Sequence, residues 1–436
     1  MAKYTKFFPD IGILGNIEAC RKRMRRYPLF LLLVLAACSS PVKESTKPST
    51  LPAGTWRLQL NLGEGLFLPF CFTLSEENSV YTAEIINGSE KIRTEQFSVT
   101  DDSVFFRLPV FDSEFKMKRN GDHTLEGTWF NYSKSPDYKI PAFAEYNKTE
   151  RFTKDETKGE DASFKGKWKV TFSKGSEEQY MAVGLFEQEK DIVTGTFITE
   201  TGDYRYLEGR VNGNTMQLSC FDGSHAFYFT ATLLDTSSID GMFYSGTHWK
   251  EPWVAVRDDA FELSDPESLT YIKEGYSGLE FSFPDIDNNT VSFPSAEYSG
   301  KVTIVELMGS WSPNCMDETG YLKSLYDIYH PKGLEIISLC FERTSDFASS
   351  ARNIRKHKTH LGADWKFLVA GTAQKEDAAA ALPMLNHVMS YPTTIFIDKK
   401  GQVRKIYTGF YGPGTGQYYE RYAEKNQLFL ETLLAE

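Results

Sequence analysis

Hydrophobic residues in this chain change their period near residue 265, and that change admits few architectures. From Gly54 to about Asp258 helical periodicity is scarce. Short aromatic and β-branched runs alternate there with turn signals, as in Trp56-Arg57-Leu58-Gln59-Leu60, Val104-Phe105-Phe106-Arg107-Leu108 and Ala226-Phe227-Tyr228-Phe229-Thr230. Asn87-Gly88, Asn120-Gly121 and Asn212-Gly213 suit tight hairpins, because Asn and Gly tolerate positive φ. After Ser264-Asp265-Pro266 the pattern becomes strand and helix in alternation. The all-apolar run 302–308, broken only by Glu306 and Thr303, reads as a buried strand. A helix from Pro313 to about Tyr329 is stopped by Pro331. A strand over 334–339, a helix over 346–357, a strand over 366–370 and a helix near 376–385 follow. A hairpin over 393–398 and 402–407 and a last helix from about Gly416 complete the pattern. Alternation closed by a hairpin predicts a mixed sheet with helices on both faces.

The β-rich part reads as a duplication. Gly54-Thr55-Trp56 recurs as Gly166-Lys167-Trp168, and Phe111-Asp112-Ser113 as Phe221-Asp222-Gly223. Leu125-Glu126-Gly127-Thr128-Trp129-Phe130 recurs as Ile239-Asp240-Gly241-Met242-Phe243-Tyr244. A period of this length is too long for a solenoid and suits a repeated antiparallel meander that closes as a barrel or packs as a sandwich. The expected units are repeat 1 over 53–151, repeat 2 over 165–262 and the α/β domain over 276–436, with the polar stretch 152–164 as a joint. A barrel mouth could hold an apolar ligand or a partner; a filled barrel would be only a spacer.

Composition narrows the function. With 41% hydrophobic and 25% charged residues, the chain is that of a globular protein of roughly two to four domains. Its net charge is −11, although the first 37 residues hold seven Lys/Arg against two Asp/Glu. So acidic a body excludes a nucleic-acid partner. The basic stretch 352–358 reads as a solvated helix face, and His357 and His360 as surface residues. The six cysteines are too few for a disulfide-stapled scaffold. No C-x-x-C pair and no zinc spacing occur, so no metal or other cofactor is expected. Cys71, Cys220 and Cys340 read as buried free thiols. Gly412, Gly414 and Gly416 imitate a phosphate loop but lack its strand–helix context, and read as turn and cap glycines.

The leader 21–38 (RKRMRRYPLFLLLVLAAC) joins a basic region to about nine apolar residues, too few to span a bilayer. It has the pattern of a secretory signal, here residues 1–37, with Met24 rather than Met1 the suspected start. Leu35-Ala36-Ala37-Cys38 resembles the bacterial lipobox. That resemblance implies lipidation of Cys38 and a membrane-anchored protein of the bacterial cell envelope. Ser39 resembles the default for the outer membrane facing the periplasm. Residues 38–52, polar and Pro/Ser-rich, read as a tether.

The α/β part resembles one family. Phe283-Pro284-Asp285-Ile286-Asp287, Gly300-Lys301-Val302, Ser310-Trp311-Ser312-Pro313-Asn314-Cys315 with Glu318, and Tyr391-Pro392-Thr393 are similar to the TlpA/ResA-like branch of the thioredoxin superfamily, of the AhpC/TSA-redoxin type. Thr408-Gly409-Phe410 and Gly412-Pro413 resemble its closing turn. The resemblance covers about residues 279–434. It implies a thioredoxin-like fold, a cis proline at Pro392, thiol–disulfide oxidoreductase activity and protein thiols or disulfides of the envelope as partners. It also implies a substrate groove bordered by Trp311, Pro313, Tyr391 and Pro392. The family carries W-C-x-x-C; here Ser312 stands at the first cysteine, Met316 replaces the usual basic residue and Gly320 the usual proline.

A hydroxyl does not ionise near neutral pH and forms no mixed disulfide, so a two-cysteine cycle between 312 and 315 is impossible. The residues left for catalysis are Cys315, Glu306 and Ser312. Ser312-Pro313 is a helix start, which places Cys315 in the first turn, where the helix dipole favours a thiolate. Glu306, six residues before Ser312, resembles the buried acid that exchanges a proton with the second cysteine of thioredoxins. Its charge opposes a thiolate while its carboxylate can accept the proton. Ser312-Pro313-Asn314-Cys315 also resembles the Thr/Ser-x-x-Cys of peroxiredoxins, with Arg343 or Arg404 as the accompanying arginine, although Met308 stands where they have proline. Three functions follow as expectations: single-thiol redox chemistry through Cys315 by mixed disulfide or peroxide reduction, a redox-silent binder using the groove, or a structural lipoprotein using its β region.

Overall fold

The computed structural model describes residues 50–436. The signal peptide, Cys38, the choice of Met1 or Met24 and nearly all of the tether lie outside the described residues.

The first nine strands, from Gly54–Gly63 to Lys139–Tyr146, form one antiparallel sheet. By chain position its order is fourth, third, second, first, ninth, eighth, seventh, sixth, fifth. Gly54–Gly63 is the seam, paired with Leu66–Glu77 on one side and Lys139–Tyr146 on the other. The sheet is a half-barrel, with Glu90–Arg93 and Gln96–Val99 as its edges. The next nine strands, Gly166–Phe172 to Trp249–Arg257, do close. Tyr180–Glu189 pairs with both Gly166–Phe172 and Ile192–Thr199, so eight strands form a barrel and its edges are used up. The two-residue strand Gly202–Asp203 is an outer addition to Ile192–Thr199.

The duplication is visible in detail. Trp56 and Trp168 each donate the indole N–H to the carbonyl four residues back, Pro52 at 3.1 Å and Phe164 at 2.8 Å. Thr124–Asn131 and Ser238–Ser245 bury the same alternate positions, Leu125 with Ile239, Trp129 with Phe243 and Asn131 with Ser245. The two halves also pack together: Phe221 stacks on Phe70 at 4.4 Å, and the Arg151 guanidinium donates to Ser219 Oγ at 3.0 Å. Both interiors are filled with aromatic side chains, Phe70, Phe106, Phe115 and Trp129 in the first and Phe172, Phe197, Phe229 and Trp253 in the second.

The C-terminal sheet runs Lys366–Thr372, Leu334–Glu342, Val302–Met308, Thr393–Ile397, Val403–Thr408. The first three are parallel and the last two antiparallel. Val302–Met308 is central and every residue of it is buried, as a strand covered on both faces requires. Its even-numbered side chains lie under the helices Pro313–Tyr329 and Gln417–Ala435, and Val305 and Leu307 face the opposite cluster with Ala378 and Leu382.

Three expectations need correction. The helix expected near 376–385 is Lys375–Ala381, because Pro383 bars the helical conformation beyond it. The helix expected over 346–357 is Phe347–Leu361, ended by Gly362 in the left-handed conformation. On that helix His357 is fully buried rather than a surface residue, since it follows Ile354 and Ala351 on the inward face. His360 is exposed. Cys71, Cys220, Cys315 and Cys340 are free and buried.

Candidate functional site

Strand alternation sets the site. Position 306 shares the even-numbered face of its strand with Val302, Ile304 and Met308, so Glu306 is driven beneath the helix that begins at Pro313. Register puts Ser338 on one side of it and Thr394 on the other, a polar row crossing an apolar sheet. Glu306 accepts from Thr319 Oγ1 at 2.7 Å and Ser338 Oγ at 2.6 Å. Glu318, one helical turn beyond Cys315, accepts from Thr394 Oγ1 at 2.7 Å and Tyr422 Oη at 2.9 Å; its other oxygen is buried without a partner. Thr319 Oγ1 lies 3.1 Å from His357 Nε2, and Trp365 Nε1 donates to Ser338 Oγ at 2.8 Å. Both acids are fully buried. Burial pushes Glu306 up to about 7, against the pull of its two hydroxyl donors. Burial, reinforced by Glu306, pushes Glu318 up to about 8. Burial, then His360, holds His357 down to about 3, so it stays neutral.

Ser312 caps the helix as its position before Pro313 requires: its Oγ accepts the Cys315 N–H at 3.3 Å. Cys315 is therefore in the first turn, but it is fully buried. Burial raises its thiol well above the ordinary value. Hydrogen bonds to Ser312 and Gly309 pull the other way, and Glu306 and Glu318 push it further up. The thiolate expected from the helix dipole is thus absent from the resting site: dehydration and two acids outweigh a partial charge. Cys340 is also buried, with its Sγ 3.2 Å from Met308 Sδ.

Around this centre Trp311 donates its indole N–H to Phe341 O at 3.0 Å and meets Tyr391 edge to face at 6.2 Å. The Tyr391–Pro392 peptide bond is cis, as the resemblance implies. Of the two candidate arginines, Arg343 lies over the Trp311 ring at 4.4 Å, whereas Arg404 pairs with Asp398 and Glu436 on the hairpin.

No local pattern in the chain announces that the barrel covers this face. Ser390, just before Tyr391-Pro392, donates from Oγ to Thr201 O at 2.6 Å. Asn314 Nδ2 donates to Asp203 O at 3.2 Å, the Gly412 N–H to Asp203 Oδ2 at 2.6 Å, and Ser224 Oγ to Trp311 O at 3.1 Å. Gly409, whose N–H donates to Pro392 O, has φ +78, and a Cβ there would lie 2.9 Å from Glu200 O. The center of the contact is Arg205, 2% exposed. It donates to Pro313 O at 3.0 Å, forms short ion pairs with Glu90 of the half-barrel and Asp317 of the helix, and lies 3.6 Å from Asp222. One end of the barrel, with Tyr180, Tyr204, Phe227 and Phe243, opens into a cavity of about 860 Å³ that also reaches Ser312 and Asn314. Among the described residues no group of three or more His, Cys, Asp or Glu side chains could hold a metal ion.

Residues 273–419 match the family model described as Redoxin. The chain is 26% identical over 140 residues to the thiol-disulfide oxidoreductase ResA of Geobacillus thermodenitrificans, covering 32% of this chain and 72% of that protein. It is 28% identical to the ResA of Bacillus thuringiensis over 151 residues, 35% of this chain and 77% of the other. A solved thiol:disulfide interchange protein of the thioredoxin family from Chlorobium tepidum overlaps 38% of this chain and 99% of its own at 16% identity, with a TM-score of 0.28. By its redoxin match and its ResA relatives, the C-terminal domain of this multidomain chain is TlpA/ResA-like, of the thioredoxin superfamily.

Proposed function

We propose that the protein is an envelope thiol–disulfide oxidoreductase that works through one sulfur, Cys315. The observation that carries this reading is the seat of that sulfur: a capped first helical turn beside two buried carboxyls whose burial raises their affinity for protons. Glu306 or Glu318, as carboxylate, takes the thiol proton. The Cys315 thiolate attacks one sulfur of a partner's disulfide, that S–S bond breaks, and the partner's other sulfur leaves as thiolate. The product is a mixed disulfide that a further thiol resolves, because Ser312 cannot. Peroxide reduction would use the same thiolate to attack one oxygen of the O–O bond, the other leaving as hydroxide that takes up a proton to form water, and a thiol to reduce the sulfenic acid formed. Since Cys315 is buried at rest, either reaction first needs the start of its helix, which Arg205 and Asp203 hold at Pro313 and Asn314, to loosen.

Residues 53–151, 165–262 and 276–436 are read as the domains, carried by a Cys38 lipid anchor on the tether 38–52 at the outer membrane, facing the periplasm. Labelled palmitate should enter the protein and be lost on Cys38→Ser. The burial of Cys315 favours one other reading, a redox-silent protein that keeps the fold for binding. Alkylation separates the two. On the redox reading, Cys315 in the folded chain reacts with iodoacetamide faster than global unfolding allows, and Cys315 captures envelope proteins in disulfide-linked complexes that Cys315→Ala abolishes. Reaction no faster than unfolding, with no covalent partner recovered, leaves the binding reading.

A further inference from the structure

We infer that the cavity between the barrel mouth and Ser312 binds a small amphipathic anion, an aromatic or apolar body bearing one carboxylate or sulfonate. This is independent of whether Cys315 reacts. At about 860 Å³ the cavity is of the size that small-molecule sites have. Its floor is aromatic: Tyr180, Tyr204, Phe227 and Phe243 crowd together, with Tyr204 and Phe243 5.2 Å apart edge to face. The floor's hydroxyls are already engaged. Tyr180 Oη is 2.8 Å from Tyr204 Oη and donates to Glu251 at 2.9 Å, so the floor offers ring surface rather than polar atoms.

The mouth is different. Four separate segments bring Lys134, His225, His248 and Arg343 to line it. Lys134 Nζ lies 3.0 Å from His248 Nε2, and Arg343 covers Trp311. Three acids also line the cavity, but two are engaged elsewhere. Glu251 accepts from Ser173 Oγ at 2.7 Å and from Tyr180; Asp203 accepts the N–H groups of Gly412 and Arg205, each at 2.6 Å. Glu342, next to Arg343, is taken up by the Ser310 N–H and hydroxyl at 2.8 and 2.7 Å, and Asp222, beside His225, shares its charge with Arg205. Burial and then Arg343 hold Lys134 down to about 8, while partial burial and then Lys134, His225 and Arg343 hold His248 down to about 4. Near neutral pH His248 is therefore uncharged and accepts from Lys134, and Lys134 and Arg343 bring positive charge to an aromatic cavity in a chain of net charge −11, a combination that an anion with an apolar body complements.

Two dyes with the same aromatic body test this: 1-anilinonaphthalene-8-sulfonate and its uncharged parent, N-phenyl-1-naphthylamine. Fluorescence titration of the full mature chain should give one sulfonate per protein, bound at least about tenfold more tightly than the neutral dye. Raising NaCl from about 0.05 M to about 0.5 M should weaken the sulfonate alone. Lys134→Gln with Arg343→Gln should cost the sulfonate about tenfold and leave the neutral dye unchanged. Met181→Trp, which fills the floor, should abolish both. Equal affinities for the two dyes, several sulfonates per chain, or no effect of salt would each overturn the proposal, and the salt test needs no variant to fold.

Discussion

Glu306 and Glu318 are acids that fold into a place where they prefer to be neutral, and this gives stability a definite pH slope. Their carboxyls rise from 4.5 to about 7 and about 8. Between pH 4.5 and about 8 the folded chain therefore binds more protons than the unfolded one, so stability falls as pH rises through that window. Glu318→Gln keeps an acceptor for Thr394 and Tyr422 and should flatten the fall, read as urea midpoints between about pH 5 and 8. His357 acts on the other side. Held down from 6.5 to about 3, it leaves the unfolded chain with the extra proton, so its contribution is lost as pH drops from 6.5 towards 3. His357→Gln should blunt acid unfolding in the same measurement. Steeper loss at high pH in Glu318→Gln, or unchanged acid sensitivity in His357→Gln, would contradict these assignments.

At the scale of elements, the strand–helix order after residue 300 and the repeat before it could be read from periodicity, because each is local and each buried face repeats with its own period. Ser312-Pro313 announced the helix start, and a lone acid in the apolar run 302–308 announced a buried carboxyl. His357 also lay in phase with Ile354 and Ala351, but four basic residues between 352 and 358 hid that phase. The contact between barrel and redoxin domain was not legible. Its partners stand about 90 to 210 residues apart, such as Ser224 with Trp311 and Asp203 with Gly412, and no local pattern encodes which loops meet. Gly409 tests that contact. Gly409→Ala adds a Cβ at a positive φ and 2.9 Å from Glu200 O, so it should cost roughly 1–3 kcal/mol in thermal or urea unfolding. The equivalent change at Gly401, where a Cβ meets nothing within 4 Å although φ is +79, carries only the backbone part of that cost.

For the whole molecule the decisive side chain is Arg205, whose one guanidinium ties together the half-barrel, the barrel and the redoxin domain. Arg205→Met should destabilise the chain by about 3–5 kcal/mol, because Glu90 and Asp317 lose their buried counter-charge while Asp222 keeps only His225. It should also speed alkylation of Cys315, and an unchanged urea midpoint with unchanged Cys315 labelling would deny Arg205 this role. The same geometry governs how the protein could open. Arg205 and Asp222 both belong to the barrel and move together, so parting barrel from helix strands only Asp317, which loses its guanidinium before water can fully replace it. A partner that reaches the buried sulfur must therefore bring enough binding energy to offset the charge stranded on Asp317.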